Sequence, residues 1–279
     1  MKRLLLGLAA SLLAAGAHAQ EVWLTLPVPP AMPEPVESGM APVNDIEMYY
    51  AVYGEGEPVL LIHGGLGHGD VWGFQVPALA EDHKVIVADS RGHGRSTRSE
   101  QPFGYELMAD DYLALLDHLG IDQTALVGWS DGGIIGLDIA IRHPDRLSGL
   151  YAFAANYVPE GVKETVGDDP TFGAYIERAS EDYARLSPTP DEFDAFVEQI
   201  SQMWATQPHY TKDQLRAIPV RTVIFDGDHD EAIKLEHTEE MAELIPNARL
   251  EIMKDASHFA MWQQPEAFNA SVLSFLAGK

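Results

Sequence analysis

The run Thr124-Ala125-Leu126-Val127-Gly128-Trp129-Ser130-Asp131-Gly132-Gly133 constrains this chain more than any other. A short apolar stretch ends in Gly-x-Ser-x-Gly and opens into the amphipathic segment Ile134 to His143. A buried strand that turns sharply into a helix can hold a serine at its apex only if the neighbours are nearly without side chains, because the backbone there is strained and closely packed. Gly128 and Gly132 meet that demand. The same turn sets the Ser130 hydroxyl at the start of a helix, where free N–H groups stabilise an oxyanion. Alone, a Gly-x-Ser-x-Gly is a weak signal, and a chance match is its plain alternative. The strand before it and the helix after it are the context that marks Ser130 as a nucleophile.

Composition decides which groups can assist that serine. Cysteine is absent, so there is no disulfide, thiolate metal site or cysteine nucleophile, and chemistry falls to hydroxyl, imidazole and carboxylate groups. Lys and Arg number 18 against 43 Asp and Glu, a formal net charge of −25. A surface that acidic argues against nucleic acid and against docking on anionic membranes, which leaves a small-molecule substrate as the expected partner. At 279 residues and 46% hydrophobic, the chain suits one large α/β domain, or one with a small insertion.

Residues 1–19 read as a secretory signal: Lys2 and Arg3 precede an apolar run from Leu4 to Ala15, and Ala17-His18-Ala19 offers small residues where a signal peptidase cuts. The run is short for a membrane span, so the expected location is periplasmic or secreted, after a cut behind Ala19. Residues 20–42 then carry Pro27, Pro29, Pro30, Pro33, Pro35 and Pro42, which deny them helix and most ladder hydrogen bonds and predict an extended leader.

Regular structure is expected from Ile46 onward. Apolar runs at 46–52, 58–62, 84–88, 125–127, 147–153, 220–225 and 249–253 predict strands; segments 71–80, 105–119, 134–143, 235–245 and 265–276 predict helices between them. Alternation of this kind implies an α/β fold with a mainly parallel sheet wrapped on both sides. The stretch 157–218 breaks the alternation. It shows no convincing strand, but Phe172, Tyr175, Ile176, Ala179 and Tyr183 recur at helical spacing, as do Phe193, Phe196, Val197, Ile200, Met203 and Trp204. A helical cap of residues 157–218 is therefore expected on a core made of 43–156 and 219–279, with one or two of its aromatic side chains roofing the substrate pocket.

A serine hydroxyl is a poor nucleophile until a base takes its proton. On an α/β sheet the order is serine, acid, histidine, each in a loop at the carboxyl end of a strand. Only His237 and His258 lie beyond the last acidic loop; His237 falls inside a helical stretch, where a solvated face is expected, and His258 follows the strand 249–253. His258 is the expected base. The acid comes from Phe225-Asp226-Gly227-Asp228-His229-Asp230, where spacing prefers Asp230 only modestly over Asp226 and Asp228.

These residues together resemble the α/β-hydrolase superfamily, and within it the valacyclovir hydrolase or biphenyl hydrolase-like group. The resemblance runs over 43–279 and rests on four segments: His63-Gly64-Gly65, Asp89-Ser90-Arg91-Gly92-His93-Gly94-Arg95-Ser96, Gly128 to Gly133, and Gly227-Asp228-His229-Asp230. It places the acid at the end of Gly-x-x-Asp, which is Asp230, while Asn156 fills the alternative acid position of some relatives. The cap matches least. One oxyanion donor is expected to be the N–H of Asp131; the other lies in His63-Gly64-Gly65-Leu66, with Gly65 ahead of Leu66. Leu66, Trp129 and Asp131 are the candidate substrate contacts. The resemblance implies that Asp131 pairs with the amino group of α-amino-acid esters; hydrogen bonding to nearby backbone at the helix start is the alternative. The expected reaction is cleavage of carboxylic esters through an acyl-enzyme, with no cofactor or metal. Relatives with the same apparatus include proline iminopeptidase-like aminopeptidases, cofactor-free perhydrolases and catalytically silent binding modules.

Overall fold

The computed structural model describes residues 21–278, so the expected signal at 1–19 lies outside the described residues. Eight strands form one sheet: β1 (Glu37–Val43), β2 (Ile46–Tyr53), β3 (Glu57–Ile62), β4 (His83–Ala88), β5 (Thr124–Trp129), β6 (Leu147–Phe153), β7 (Thr222–Gly227) and β8 (Ala248–Met253). Their order is β1-β2-β4-β3-β5-β6-β7-β8. β2 runs antiparallel to β1 and β4, and every pairing from β4 to β8 is parallel. The central strands are buried over their whole length because helices cover both faces.

The helices are α1 (Val76–Leu79), α2 (Tyr105–His118), α3 (Asp131–Arg142), α4 (Pro170–Leu186), α5 (Phe193–Thr206), α6 (Lys212–Arg216), α7 (Leu235–Leu244), α8 (Ala260–Gln263) and α9 (Pro265–Leu276). Successive residues of β6 show the two layers. Leu150 sits against Gly136 of α3, whereas Tyr151 packs on Phe268 and Phe275 of α9, and neighbours along a strand point to opposite faces. The chain moves from β3 to β4 on one side and then to β5 on the other. That divergence opens a crevice beyond the carboxyl ends of β3 and β5.

Three elements depart from the sequence expectation. Val22–Leu24, in the stretch read as an extended leader, forms a 3₁₀ turn. β1 begins inside the stretch read as leader: Glu37 pairs with Val52 and Pro42 with Glu47 at the sheet edge. Only Ala41 and Val43 of this strand are buried, so tertiary pairing rather than an apolar pattern makes it a strand. The helix expected over 71–80 is broken into a 3₁₀ turn, Gly69–Trp72, and the short α1. Gly73 lies between them, where a Cβ would stand 2.1 Å from the carbonyl oxygen of Pro30.

That contact belongs to the proline-rich leader, which crosses the joint between cap and core. Trp23 stacks on His229 with ring centroids 4.0 Å apart. Gln263 donates its side-chain N–H to the carbonyls of Trp23 and Thr25 at 3.2 and 2.9 Å, and Arg178 of α4 donates to those of Leu26 and Pro27.

The stretch 157–218, expected as a cap, carries α4, α5 and α6; α4 packs on α5, whereas α6 lies against α7. Asp169 caps α4 by accepting from the N–H groups of Thr171 and Phe172, and Pro170 at the first helical position supplies a preset φ. Tyr175, Ala179 and Tyr183 then fall on one buried face, as do Phe196, Ile200 and Met203 of α5. Among the described residues no helix is long and apolar enough to cross a membrane.

Candidate active site

The strand-to-helix turn after β5 holds Ser130 at φ 53° and ψ −117°, a conformation L-residues avoid. Its flanking glycines are required by contact: a Cβ on Gly128 would stand 2.2 Å from the carbonyl oxygen of Gly132, and one on Gly132 2.2 Å from that of Ile62. The Ser130 amide is fixed on the Phe153 carbonyl at 2.7 Å. Ser130 thus stands on a rigid apex at the floor of the crevice, with the N–H of Asp131 opening α3 behind it.

His258 follows β8 and lines the same cavity as Ser130. Its Nδ1 lies 2.7 Å from Oδ2 of Asp230, and the other Asp230 oxygen accepts from the N–H groups of Ala232 and Ile233 at 2.6 Å each. Two further bonds hold the His258 backbone. Its carbonyl accepts from the indole N–H of Trp129 at 2.9 Å, and its amide donates to Glu231 at 2.9 Å.

The electrostatics separate the three aspartates of this loop. Asp226 is fully buried behind Asp230, and burial, then the neighbouring Asp230 charge, pushes its carboxyl well above the usual range. A neutral Asp226 can donate to Asp230. Asp228 instead faces Lys254 at 3.2 Å. For Asp230, burial works against ionisation, but the charge and hydrogen bond of His258, with help from Asp226 and the Ile233 amide, hold its carboxyl below the ordinary value. Burial likewise works to lower the His258 pKa. The Asp230 carboxylate outweighs it, Glu231 and Asp131 add to the effect, and the imidazole ends above 6.5.

Glu231, mostly buried and next to the charge of Asp230, is pushed up to about 7. A general base must be neutral, so activity is expected to rise with pH through a value above the ordinary histidine pKa. Glu231→Gln removes one of the negative charges that raise His258, and the acid limb of kcat/KM should move to lower pH. Because Glu231 and His258 titrate together, the limb reports the pair. A profile unchanged by Glu231→Gln, measured between about pH 5 and 9 with a neutral ester, would rule this coupling out.

The cavity above Ser130 has a volume of about 530 Å³. Phe172 and Tyr175 of α4 and Trp204 of α5 supply cap aromatics to its lining. The Asp131 carboxylate also faces it, buried, accepting from the Tyr105 hydroxyl at 2.8 Å and from the Trp204 indole N–H at 2.9 Å. Both donors are neutral. Burial raises the Asp131 carboxyl, against those two hydrogen bonds and the charge of His258.

Next to the Asp131 carboxylate are Gly65 and Leu66, in a turn closed by the Gly67 amide on the Gly64 carbonyl at 3.1 Å; a Cβ on Gly65 would stand 2.7 Å from Asp131 Oδ2. The Gly65 carbonyl accepts from the Tyr175 hydroxyl at 2.6 Å. Trp129 lines the cavity too, but its indole N–H is committed to the His258 carbonyl. Asn156 lies at the cavity wall and donates to the Val158 carbonyl at 3.0 Å.

Other polar residues have structural duties. Arg91 is buried and grips Asp111 through two hydrogen bonds of 2.7 and 2.8 Å, while Asp89 accepts from the amides of Gly69 and Arg95 and so joins the loops after β3 and β4. His237 departs from the expected solvated face. It stacks on Tyr157 at 4.4 Å and accepts from the Tyr157 amide, and burial lowers its pKa to about 4. Sequence reasoning does not single out Tyr105, Tyr175, Trp204 or Glu231 as site residues. Only the aromatic excess of 157–218 points toward two of them.

A family model described as the alpha/beta hydrolase fold matches residues 57–192. The chain has the α/β-hydrolase fold. It is 29% identical over 264 residues to a putative carbamate hydrolase, RutD, of a Caulobacter species, covering 83% of this chain and 96% of that protein. A 3-oxoadipate enol-lactonase of Acinetobacter baylyi is 27% identical, with 82% and 92% covered. Among solved structures, a meta-cleavage product hydrolase from Pseudomonas fluorescens superposes with a TM-score of 0.73 at 26% identity, covering 88% of this chain and 98% of that one. These relatives support a hydrolase activity for this chain and do not single out the valacyclovir hydrolase group.

Proposed function

We propose that this chain is a serine hydrolase of carboxylic esters that works through an acyl-enzyme. The observation that carries the reading is a serine on a strained apex, in one cavity with a histidine whose Nδ1 is bonded to a buried carboxylate. Ser130 is the nucleophile, His258 the general base, and Asp230 the group that fixes the imidazole tautomer and stabilises the imidazolium. Ser130 Oγ attacks the ester carbonyl carbon as His258 Nε2 takes its proton. The oxyanion is received by the Asp131 N–H and the wall formed by Gly65 and Leu66. Collapse of this intermediate breaks the ester C–O bond, and His258 returns the proton to the departing alcohol. Water then repeats the sequence on the acyl-enzyme. A fluorophosphonate probe tests the assignment: covalent labelling at Ser130 is expected, and its absence in folded protein would favour a ligand-binding module.

The finer preference concerns Asp131. A buried carboxylate at the acyl end of the cavity, hydrogen-bonded only by neutral donors, supports a substrate with a cationic group beside its carbonyl, as in α-amino-acid esters. Such a pair contributes about 1.5–3 kcal/mol, or roughly a tenfold to hundredfold preference over the des-amino ester. Comparing the two esters on wild type and Asp131→Ala tests it. The preference is expected in the wild type and should vanish in the variant; a preference that survives leaves a general esterase.

The basic, apolar and small-residue pattern of residues 1–19 supports export, with a mature chain starting at Gln20. N-terminal sequencing of the exported protein tests the cut.

A further inference from the structure

Tyr175 touches the catalytic machinery from an element that carries no part of the triad. It sits on α4 in the cap, and its hydroxyl reaches across to the Gly65 carbonyl, 110 residues earlier in the chain, at 2.6 Å. Its ring packs on Trp129, Phe259 and Trp262 with centroids 5.2 to 6.1 Å away. Burial pushes the phenol up, so the hydroxyl remains a donor.

The turn it holds is not one that its sequence favours. Gly64 to Gly67 closes as a β-turn, and Leu66 at its third position has φ 62°, while Gly65 stays outside the left-handed region. This is a type II turn, which ordinarily needs glycine where Leu66 stands. A leucine there favours type I, in which the central Gly65–Leu66 peptide is turned over. In a trans peptide the C=O and N–H point in opposite directions. Which face of the Gly65–Leu66 wall presents a donor and which an oxygen atom therefore depends on that peptide plane, and the Tyr175 hydroxyl anchors the plane by its oxygen.

We propose that the second oxyanion donor is the N–H of Leu66, the one N–H of the Gly65–Leu66 peptide, in place of the Gly65 N–H expected from sequence, and that Tyr175 is its positioning residue: it holds this peptide in the type II orientation, so the hole is complete only while α4 is seated on the core. The inference rests on the serine hydrolase reading. Two more polar contacts on the same side of α4 keep the helix seated, one and two turns beyond Tyr175. Arg178 donates to the leader carbonyls, and Asp182 meets His68, in the loop that follows the turn, at 3.2 Å. Cap seating and transition-state stabilisation are thereby one event, although the cap contributes no group to the chemistry.

A double-mutant cycle separates this role from packing. Tyr175→Phe keeps the ring and removes only the donor; it should lower kcat for p-nitrophenyl acetate by about 10- to 100-fold, with KM within about twofold of wild type. Leu66→Gly makes the type II turn self-sustaining, because glycine takes positive φ without strain. In that background Tyr175→Phe should lower kcat by less than about threefold. Tyr183→Phe, on the same helix but away from the turn, should leave kcat unchanged. Equal losses from Tyr175→Phe in both backgrounds, or none in either, would overturn the proposal. Failure of fluorophosphonate to label wild-type Ser130 would instead overturn the hydrolase reading, so the two failures are distinguishable.

Discussion

Ser130→Ala is expected to lower kcat for short p-nitrophenyl esters by on the order of 10³-fold or more, and His258→Ala by a comparable factor. The two losses should not add, because each leaves the other partner without a function. The two phenols of the cavity do not replace the serine. Tyr105 is a phenol committed to Asp131, and the pKa of Tyr175 is raised by burial, so neither supplies an alternative nucleophile near neutral pH. The Ser130→Ala protein should fold normally, since an alanine at the apex of the turn meets the same backbone strain as the serine it replaces. Steady-state kinetics with active-site titration decides it. A Ser130→Ala protein that keeps a tenth of the wild-type rate would end the triad assignment.

Asp230→Asn should cost about 10²-fold or more in kcat while the fold persists. An amide at this position still accepts from the Ala232 and Ile233 amides but no longer offers a full charge to Nδ1 of His258. It can present an N–H instead, which selects the wrong tautomer of the imidazole. The negative charge that most raises His258 is also lost, so the residual activity should show its acid limb at lower pH. Asp226→Asn provides the contrast. Asp226 is already pushed toward its neutral form, so an amide there changes little of the charge that His258 meets. Greater damage from Asp226→Asn or Asp228→Asn than from Asp230→Asn, read in the same assay, would assign the acid elsewhere.

The strand-to-helix turn around Ser130 is legible in sequence because all its requirements are local: an apolar strand, two glycines and an amphipathic helix within one continuous segment. The parallel order of β3 to β8 follows from the same alternation of short apolar runs and helices. Choosing among Asp226, Asp228 and Asp230 is harder. All three leave one strand within five residues, and only the loop's path decides which meets His258, which stays neutral behind it, and which reaches Lys254. β1 escapes a sequence reading because its strand character comes from β2, with Gly39 and Pro42 working against any local signal. His237 is misread for a related reason: helical periodicity locates a face, but a long-range partner, here Tyr157, decides whether that face is wet. The Tyr175 and Trp204 contacts with Gly65 and Asp131 join residues 73 to 110 positions apart, beyond any motif.

The leader has a practical consequence for anyone choosing where to begin a recombinant version of this chain. Starting at β1 would discard residues whose composition suggests a dispensable tail. It would also strip the carbonyl acceptors from Gln263 and Arg178, two part-buried donors, and uncover Gly73, which has no side chain of its own to fill the gap. The shortened protein would still contain every residue assigned to chemistry. Its cap helix would be fastened less firmly, so a weakly active preparation of that length would report on the choice of boundary rather than on the enzyme.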